Sequence, residues 1–227
     1  SSTPHSESLT VTVKEIENGV FSSYANTQLK AGDVLEVGTP NGRFVYDPKT
    51  DAENTIVAFA AGSGITPIMS IARTALEANT DSNFMLIYGN KSPEETIFYD
   101  DILTLQSLYN DRFKVQFVYS EADEKGALFG RIDRGNVQYI LKNNTILNDS
   151  QKFYLCGPEG MINTVNTILI EKGVEQSKIL FELFTASATK SPITSANEGD
   201  SNVTIIVDEE ETTLVMSQQQ TILEACL

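Results

Sequence analysis

Between residues 52 and 186, short apolar runs alternate with longer segments in which apolar residues recur every three or four positions. The apolar runs lie at 55–61, 84–88, 114–119, 152–156 and 179–184. The segments with helical spacing lie at 67–78, 96–110, 136–141 and 159–172. Strands that alternate with helices imply crossover connections and a parallel sheet covered on both faces. The pattern therefore predicts an α/β domain whose ligands bind beyond the carboxyl ends of the strands.

Residues 1–48 show a different pattern. Ser8–Lys14 alternates apolar and polar residues with period two, and Ala31–Tyr46 reads as a strand pair interrupted by turn residues. A turn and a short helix are predicted between them, at Asn18–Leu29. So few strands cannot bury a core alone. We therefore expect residues 1–48 to be a fragment of a larger barrel.

The C-terminal stretch begins with small, polar, aperiodic residues at 187–201, which predict a linker. In residues 202–227, two apolar stretches flank the acidic segment Asp208–Glu211 and predict a hairpin, and a helix is predicted to begin near Gln219. These 26 residues are too few for a stable domain. We expect the sequence to be truncated at this end, as at its N-terminal end.

Charge and cysteine content narrow the class of partner. The chain has 16 Lys and Arg against 31 Asp and Glu, a formal net charge of −15, which repels nucleic acids and anionic membranes. No apolar run approaches the roughly 18 residues of a membrane span. The two cysteines, Cys156 and Cys226, form no disulfide framework and favour a reducing, cytoplasmic location. With a single histidine and no cysteine pair, we expect no metal site within these residues.

Two glycines and a proline stand where the first predicted parallel strand meets the first helix. Gly62 and Gly64 permit a tight turn and the close approach of a phosphate to the backbone. The helix N-terminus adds unpaired N–H groups and the positive end of its dipole. Pro67 suits the first helical turn, and Thr66 can donate its hydroxyl. The turn thus favours phosphate binding, although a tight turn that binds nothing has the same pattern.

A second turn follows a later strand, in Phe153–Met161. The strand ends at Cys156, Gly157 and Pro158 turn the chain, and a helix follows. This order places a thiol at the carboxyl edge of the sheet, where a ligand would lie. The alternative is a buried structural cysteine, which is the commoner case for a single thiol.

Together the two turns resemble the ferredoxin–NADP reductase superfamily, through G-x-G-x-x-P at Gly62–Pro67 and C-G-P-x-x-M at Cys156–Met161. Gly19–Ser22 is similar to the second flavin motif of that family, G-x-x-S at a short helix. The tail from Asn202 resembles the start of a plant-type [2Fe–2S] ferredoxin. This order of parts is similar to the reductase components of phenylacetyl-CoA oxygenase-type multicomponent enzymes.

The resemblance implies a domain organisation and an activity. Residues 1–48 would be the C-terminal part of an antiparallel FAD-binding β-barrel, 52–186 an NAD(P)-binding domain, 187–201 a linker and 202–227 the start of a β-grasp ferredoxin domain. Electrons would pass from NAD(P)H through FAD to the [2Fe–2S] cluster and on to an oxygenase or hydroxylase partner. The cluster ligands and the first flavin motif of the family are missing from the segment. A flavin reductase without a cluster and a non-catalytic nucleotide-binding module remain alternatives.

The same resemblance assigns site residues. The FAD pyrophosphate would lie on Gly19, Val20, Phe21 and Ser22, and the NAD(P) pyrophosphate side on Gly62, Ser63, Gly64, Ile65, Thr66 and Pro67. The nicotinamide would be framed by the catalytic Cys156 with Gly157, Pro158 and Met161. Phe184, with Glu182 beside it, would lie near the flavin, unless it packs at the strand end.

The adenosine end of the nucleotide is assigned to Asn90, Lys91, Ser92 and Phe98. Lys91 could pair with a 2′-phosphate and so allow NADPH, or it could be a solvated loop residue. The stretch Phe129–Asp133 resembles a family segment, but the sequence assigns it no role.

Overall fold

The computed structural model describes residues 2–39, 41–49, 55–144, 152–184, 200–207 and 210–217. It divides the chain into two compact units, Ser1–Ala186 and Ser187–Leu227.

A six-stranded parallel sheet forms the centre of the larger unit. Its strands are β1 (Thr55–Ala61), β2 (Asn83–Asn90), β3 (Phe113–Tyr119), β4 (Leu128–Phe129), β5 (Lys152–Cys156) and β6 (Ile179–Glu182). They lie in the order β4-β3-β2-β1-β5-β6. The chain therefore builds outward from β1 to one edge and then returns to the other side of β1 at β5. The prediction of a parallel α/β domain is confirmed, and the reversal between β1 and β5 creates a crevice at their carboxyl ends.

Five α-helices complete the described part of the larger unit: α1 (Val20–Thr27), α2 (Ile65–Ala78), α3 (Tyr99–Tyr109), α4 (Arg134–Asn143) and α5 (Glu159–Glu171). Residues of α2 and α3 pack on one face of the sheet, and residues of α4 and α5 pack on the other. Side chains of β5 alternate between these faces, so Phe153 and Leu155 join the α4–α5 core while Tyr154 and Cys156 join the α2–α3 core.

In the first 49 residues the helix predicted within Asn18–Leu29 is confirmed as α1, but the predicted strands are not found in the ranges described. In their described part, α1 is the only helix and no strand forms, so the strands predicted in 8–14 and 31–46 are wrong. A strand needs a neighbour to pair its N–H and C=O groups, and these segments have no such partner among the described residues. The segment instead contacts the sheet domain through Phe44, whose ring meets Tyr154 edge to face at 5.4 Å. The Tyr154 hydroxyl also donates to the Val45 carbonyl at 3.1 Å.

The smaller unit contains an antiparallel hairpin of β7 (Asp200–Val207) and β8 (Glu210–Ser217). Thr204 and Thr213 face each other across it, and their hydroxyls lie 3.0 Å apart. The predicted hairpin is confirmed, with β7 beginning just before the predicted end of the linker. The helix predicted near Gln219 and Cys226 lie outside the described residues.

Arg112, just before β3, forms hydrogen bonds to carbonyls between the end of α2 and the start of β2. One guanidinium nitrogen donates to the carbonyl of Asn79 at 2.9 Å and to that of Ser82 at 3.3 Å, and both nitrogens reach the carbonyl of Leu76 at 3.3 Å. The arginine is half-buried, and its bonds satisfy the Leu76 carbonyl, which the end of α2 leaves without an internal donor, and two carbonyls of the loop that follows.

We expect Arg112→Met to lower the free energy of unfolding by about 2 kcal/mol, since charged hydrogen bonds to partly buried carbonyls are lost together. Arg73→Met is the matched control because Arg73 forms an exposed ion pair with Asp101, and it should cost less than about 1 kcal/mol. Urea denaturation measures both. Equal losses for the two variants would contradict the proposed role of Arg112.

Candidate functional site

The two glycine turns meet in the crevice between β1 and β5. A Cβ atom on Gly64 would lie 2.1 Å from the carbonyl oxygen of Cys156 and 2.9 Å from the amide nitrogen of Gly157. Its φ of −60° suits any residue, so it is this close approach that requires glycine. The missing side chain of Gly64 thus makes room for the second turn, and its part in phosphate binding stays a prediction.

Gly62 is the glycine of the first turn that faces open space. Its φ of +53° lies in the left-handed region, which glycine adopts without steric cost. The nearest atom to a Cβ placed there is the Lys14 Nζ at 3.9 Å. The Gly62 carbonyl accepts a hydrogen bond from the Tyr88 hydroxyl at 2.9 Å. The backbone on the open side of the turn is thus accessible to a ligand.

A cavity of about 530 Å³ opens next to Gly62. The loops that follow β1, β2, β4 and β5 supply most of its wall, and Ser120 follows β3. Its lining residues are Lys14, Ala61, Gly62, Gly89, Asn90, Lys91, Glu95, Ser120, Gly130, Arg131, Ile132, Asp133, Pro158, Gly160, Met161 and Thr164. Loops at the carboxyl ends of parallel strands form the usual ligand site of this architecture.

The cavity brings together residues from all three predicted parts of the nucleotide site. Gly62, Asn90, Lys91, Pro158 and Met161 line it. The predicted pyrophosphate, nicotinamide and adenosine sides therefore share one wall.

Other predicted residues support the cavity from behind or lie away from it. Ile65 is fully buried, and the Thr66 hydroxyl donates to the Ser63 carbonyl at 3.0 Å, so it is already engaged within the turn. Ser92 is not among the lining residues. Phe98 packs, partly buried, against the α2–α3 core.

Cys156 is fully buried in the α2–α3 core and does not line the cavity. Burial, with a smaller contribution from the neighbouring carboxyl of Glu182, raises the pKa of its thiol to about 12. Burial also raises the pKa of Glu182, which is paired with Cys156 in the sheet register. The thiol is therefore protonated near neutral pH, and its assignment as a catalytic residue stays a prediction.

The charges at the β2–β3 side of the cavity are unevenly paired. The Lys91 ammonium lies 4.0 Å from a Glu95 carboxylate oxygen and 3.8 Å from one of Glu121. Arg131 is exposed and, among the described residues, forms no ion pair. The Asn90 side-chain amide lies beside the Tyr88 hydroxyl, and its buried nitrogen has no hydrogen bond of good geometry in this part of the chain. Cationic and amide donors that an anionic or polar ligand could use thus line this side of the cavity.

The sequence assigns no role to two residues at or beside the cavity. Arg131 lines it, and Tyr88 contacts its wall through the Gly62 carbonyl. The segment Phe129–Asp133 resembles a family stretch, but its place beside the cavity depends on the short strand β4, which pairs with β3 through only two residues. Tyr88 reads as an ordinary apolar residue of a buried strand. A tyrosine at the end of such a strand, whose hydroxyl needs a partner when buried, is the signal that could have identified it.

A second cavity, of about 550 Å³, lies beside the start of α2. Thr66, Pro67 and Ser70 line it together with Phe184 and residues of the N-terminal segment. The predicted flavin-side aromatic Phe184 is 47% exposed there, so it does not serve mainly as core packing.

The predicted flavin turn, Gly19–Ser22, forms the start of α1. A Cβ on Gly19 would lie 2.3 Å from the Ser22 hydroxyl oxygen, which itself accepts a hydrogen bond from the Ile16 amide at 3.2 Å. The Ser22 hydroxyl is therefore engaged in shaping the turn. The helix has no acidic residue in its first turn and no side-chain cap, so the amides of Val20 and Phe21 remain available to an anion.

Comparison with known proteins agrees with this geometry. The family described as "Oxidoreductase NAD-binding domain" matches residues 59–167. The chain is 32% identical over 223 residues to one of the subunits of 1,2-phenylacetyl-CoA epoxidase from Escherichia coli K12, covering 96% of this chain and 62% of that protein. It is 30% identical over 178 residues to a flavohemoprotein of Candida albicans, covering 75% of this chain and 42% of that protein.

Residues 59–167 therefore resemble an oxidoreductase NAD-binding domain. Among solved structures, the FAD/NAD-binding domain of a nitric oxide dioxygenase from Vibrio cholerae superposes with a TM-score of 0.63 at 26% identity, covering 73% of this chain and 65% of that one. The chain spans less than two thirds of the length of both curated relatives.

Neither a membrane span nor a metal cluster is found in the described ranges. Of the helices there, none is both long and apolar enough to cross a bilayer. The same residues contain no group of three or more His, Cys, Asp or Glu side chains arranged to hold a metal ion.

We expect Gly64→Ala to lower the free energy of unfolding by about 2–3 kcal/mol, because the added methyl group forces the two turns of the NAD-binding domain apart. Gly160→Ala is the control, since no atom lies within 4 Å of a Cβ at that position, and it should change stability by less than about 1 kcal/mol. Thermal and urea denaturation compare the two. A Gly64→Ala protein as stable as the unsubstituted chain would refute the close approach.

We expect Cys156 in the folded NAD-binding domain to react with iodoacetamide at pH 8 more than about a hundredfold more slowly than in urea, because the thiolate is the reactive form. Peptide mass spectrometry measures labelling at Cys156 alone. Rapid labelling under native conditions would contradict the prediction that the thiol is buried and protonated.

Proposed function

We propose that this chain is the nucleotide-binding part of a flavin-dependent reductase. In the complete protein, electrons pass from NAD(P)H through FAD to a [2Fe–2S] cluster and on to an oxygenase or hydroxylase component in the cytoplasm. The observation that carries the proposal is the cavity at the β1–β5 crevice, where the open backbone of Gly62 faces the loops that follow β2 and β4.

The chemistry of the wall suits a dinucleotide. Lys14, Lys91 and Arg131 line the cavity against two lining carboxylates, Glu95 and Asp133, although the chain as a whole carries a net charge of −15. Lys14, which lies beside Gly62, can attract the pyrophosphate, and the exposed Arg131 can attract a 2′-phosphate. The turn before α2 adds the positive end of a helix dipole, and no acidic residue in the first turn opposes it.

The residues present also fit a flavin. The uncapped start of α1 can hold a pyrophosphate through the Val20 and Phe21 amides. The second cavity, lined by Phe184, Thr66 and Pro67, can hold the aromatic ring system. FAD, when bound, accepts a hydride and releases electrons one at a time, which is chemistry that belongs to the cofactor. The protein contributes by binding both cofactors against the start of α2 and by excluding water between them.

The iron–sulfur part of the proposal depends on relatives and on the tail. The described residues hold no ligand set for a cluster, so no residue of theirs is given a role in cluster chemistry. The support comes from the similarity to the epoxidase subunit and from the hairpin β7–β8. Iron and acid-labile sulfide in the complete gene product measure this part directly. A flavoprotein that lacks both would be a flavin reductase without a cluster.

Oxidation of NADH or NADPH by the FAD-loaded complete protein, with ferricyanide as acceptor, tests the reductase activity. Turnover that requires both the nucleotide and FAD supports the proposal. Nucleotide binding without any turnover would favour the alternative, a non-catalytic nucleotide-binding module on the same fold.

Coenzyme choice gives a sharper prediction. We propose that the protein accepts NADPH, with Lys91 and Arg131 as the cations for the 2′-phosphate. Because Lys91 is already paired with two carboxylates and Arg131 forms no ion pair among the described residues, Arg131→Ala should raise the KM for NADPH about tenfold and Lys91→Ala only about threefold. Neither change should alter the KM for NADH appreciably. Steady-state kinetics with both coenzymes decide this, and parallel increases for NADH and NADPH would remove both residues from a 2′-phosphate site.

A further inference from the structure

Through its hydroxyl, Tyr88 contacts two loops that line the same cavity. Its ring is fully buried near the carboxyl end of β2, where it packs against Phe117 with ring centroids 6.4 Å apart. Its hydroxyl donates to the Gly62 carbonyl at 2.9 Å and also lies 3.4 Å from the carbonyl of Ile97. Gly62 belongs to the turn after β1, and Ile97 belongs to the loop between β2 and α3.

The conformation of Gly62 depends on a hydrogen-bond donor for its carbonyl. A residue with a φ of +53° has its peptide plane turned away from the neighbouring strand geometry, and a partly buried carbonyl in this orientation needs a donor. Tyr88 supplies that donor from a ring that the core holds in place. Burial also raises the pKa of the Tyr88 hydroxyl, so it is a protonated donor at neutral pH.

The second contact extends this effect to the opposite wall. The β2–α3 loop carries the lining residues Lys91 and Glu95 as well as Ile97. One hydroxyl therefore lies between the turn that would receive the pyrophosphate and the loop that would receive the adenosine, and its single proton is shared unequally between the two carbonyls in favour of Gly62.

We infer that Tyr88 is a positioning residue for the nucleotide, which holds the Gly62 turn and the β2–α3 loop at the spacing that one dinucleotide bridges. The inference rests on the proposed function of the cavity. Tyr88 does not line the cavity, so it acts through the two carbonyls and not by touching the coenzyme.

Tyr88→Phe tests this, because it removes only the hydroxyl and keeps the packed ring. Tyr154→Phe is the matched control. Tyr154 is equally buried on the neighbouring part of the sheet, but its hydroxyl donates to Val45, outside the cavity wall. Calorimetric titration of the whole chain with NADH and with NADPH gives the dissociation constants, and thermal melts give the stability of each variant.

We expect Tyr88→Phe to weaken both coenzymes by the same factor, roughly three- to tenfold, as the loss of one hydrogen bond predicts. Tyr154→Phe should lower the melting temperature about as much as Tyr88→Phe does, since each loses one buried hydroxyl. It should leave both dissociation constants unchanged. Unchanged binding in Tyr88→Phe, or an equal weakening in both variants, would overturn the inference while the proposed function stands. Failure of the unsubstituted chain to bind either coenzyme would overturn the proposed function and this inference with it.

Discussion

The close approach of two backbone turns is the constraint on which the site depends. Gly64 stands against the Cys156–Gly157 peptide with no space for a side chain, and Gly157 in turn stands against Ala61, whose amide nitrogen would lie 3.1 Å from a Cβ on Gly157. These contacts bring the ends of β1 and β5 together where the sheet order reverses. Because the turns pack directly on each other, α2 and α5 both begin at one crevice. The cavity next to Gly62 is the space that this arrangement leaves open.

The sheet domain could be predicted from sequence because its signals are local. The strands at 55–61 and 152–156 have the predicted bounds, and each helix of this domain lies within a few residues of its predicted segment. A buried parallel strand reads as a continuous apolar run, and a covering helix reads as a 3.6-residue period. In the described part of the N-terminal segment the predicted helix forms as α1 but the predicted strands do not, because the alternation at 8–14 indicates a strand preference that is realised only when a neighbouring strand supplies hydrogen bonds. The short strand β4 was missed because two residues carry no period.

The turns that form the candidate site could be predicted from the sequence, but which residue of each turn faces the cavity could not. The motif identified the glycine turn, yet no local pattern indicates which glycine faces the cavity and which packs against the protein. That distinction depends on the Cys156 carbonyl, which belongs to a strand far along the chain. In the same way, Lys91 reads as a free cation until the structure places Glu121 beside it, and the role of Arg131 depends on a loop that follows the strand β4. Long-range contacts decide these assignments.

The central claim is that a dinucleotide occupies the cavity at the β1–β5 crevice. The most direct measurement is a titration of the ¹⁵N-labelled chain with NADP⁺, followed through the chemical shifts of assigned backbone amides. The account predicts saturable shifts in the turn of Gly62 and Ser63, in the loop Asn90–Glu95 and in the segment Gly130–Asp133, with little change at the hairpin β7–β8. Shifts that leave the Gly62 turn unaffected, or that cluster on another face of the sheet, would contradict it.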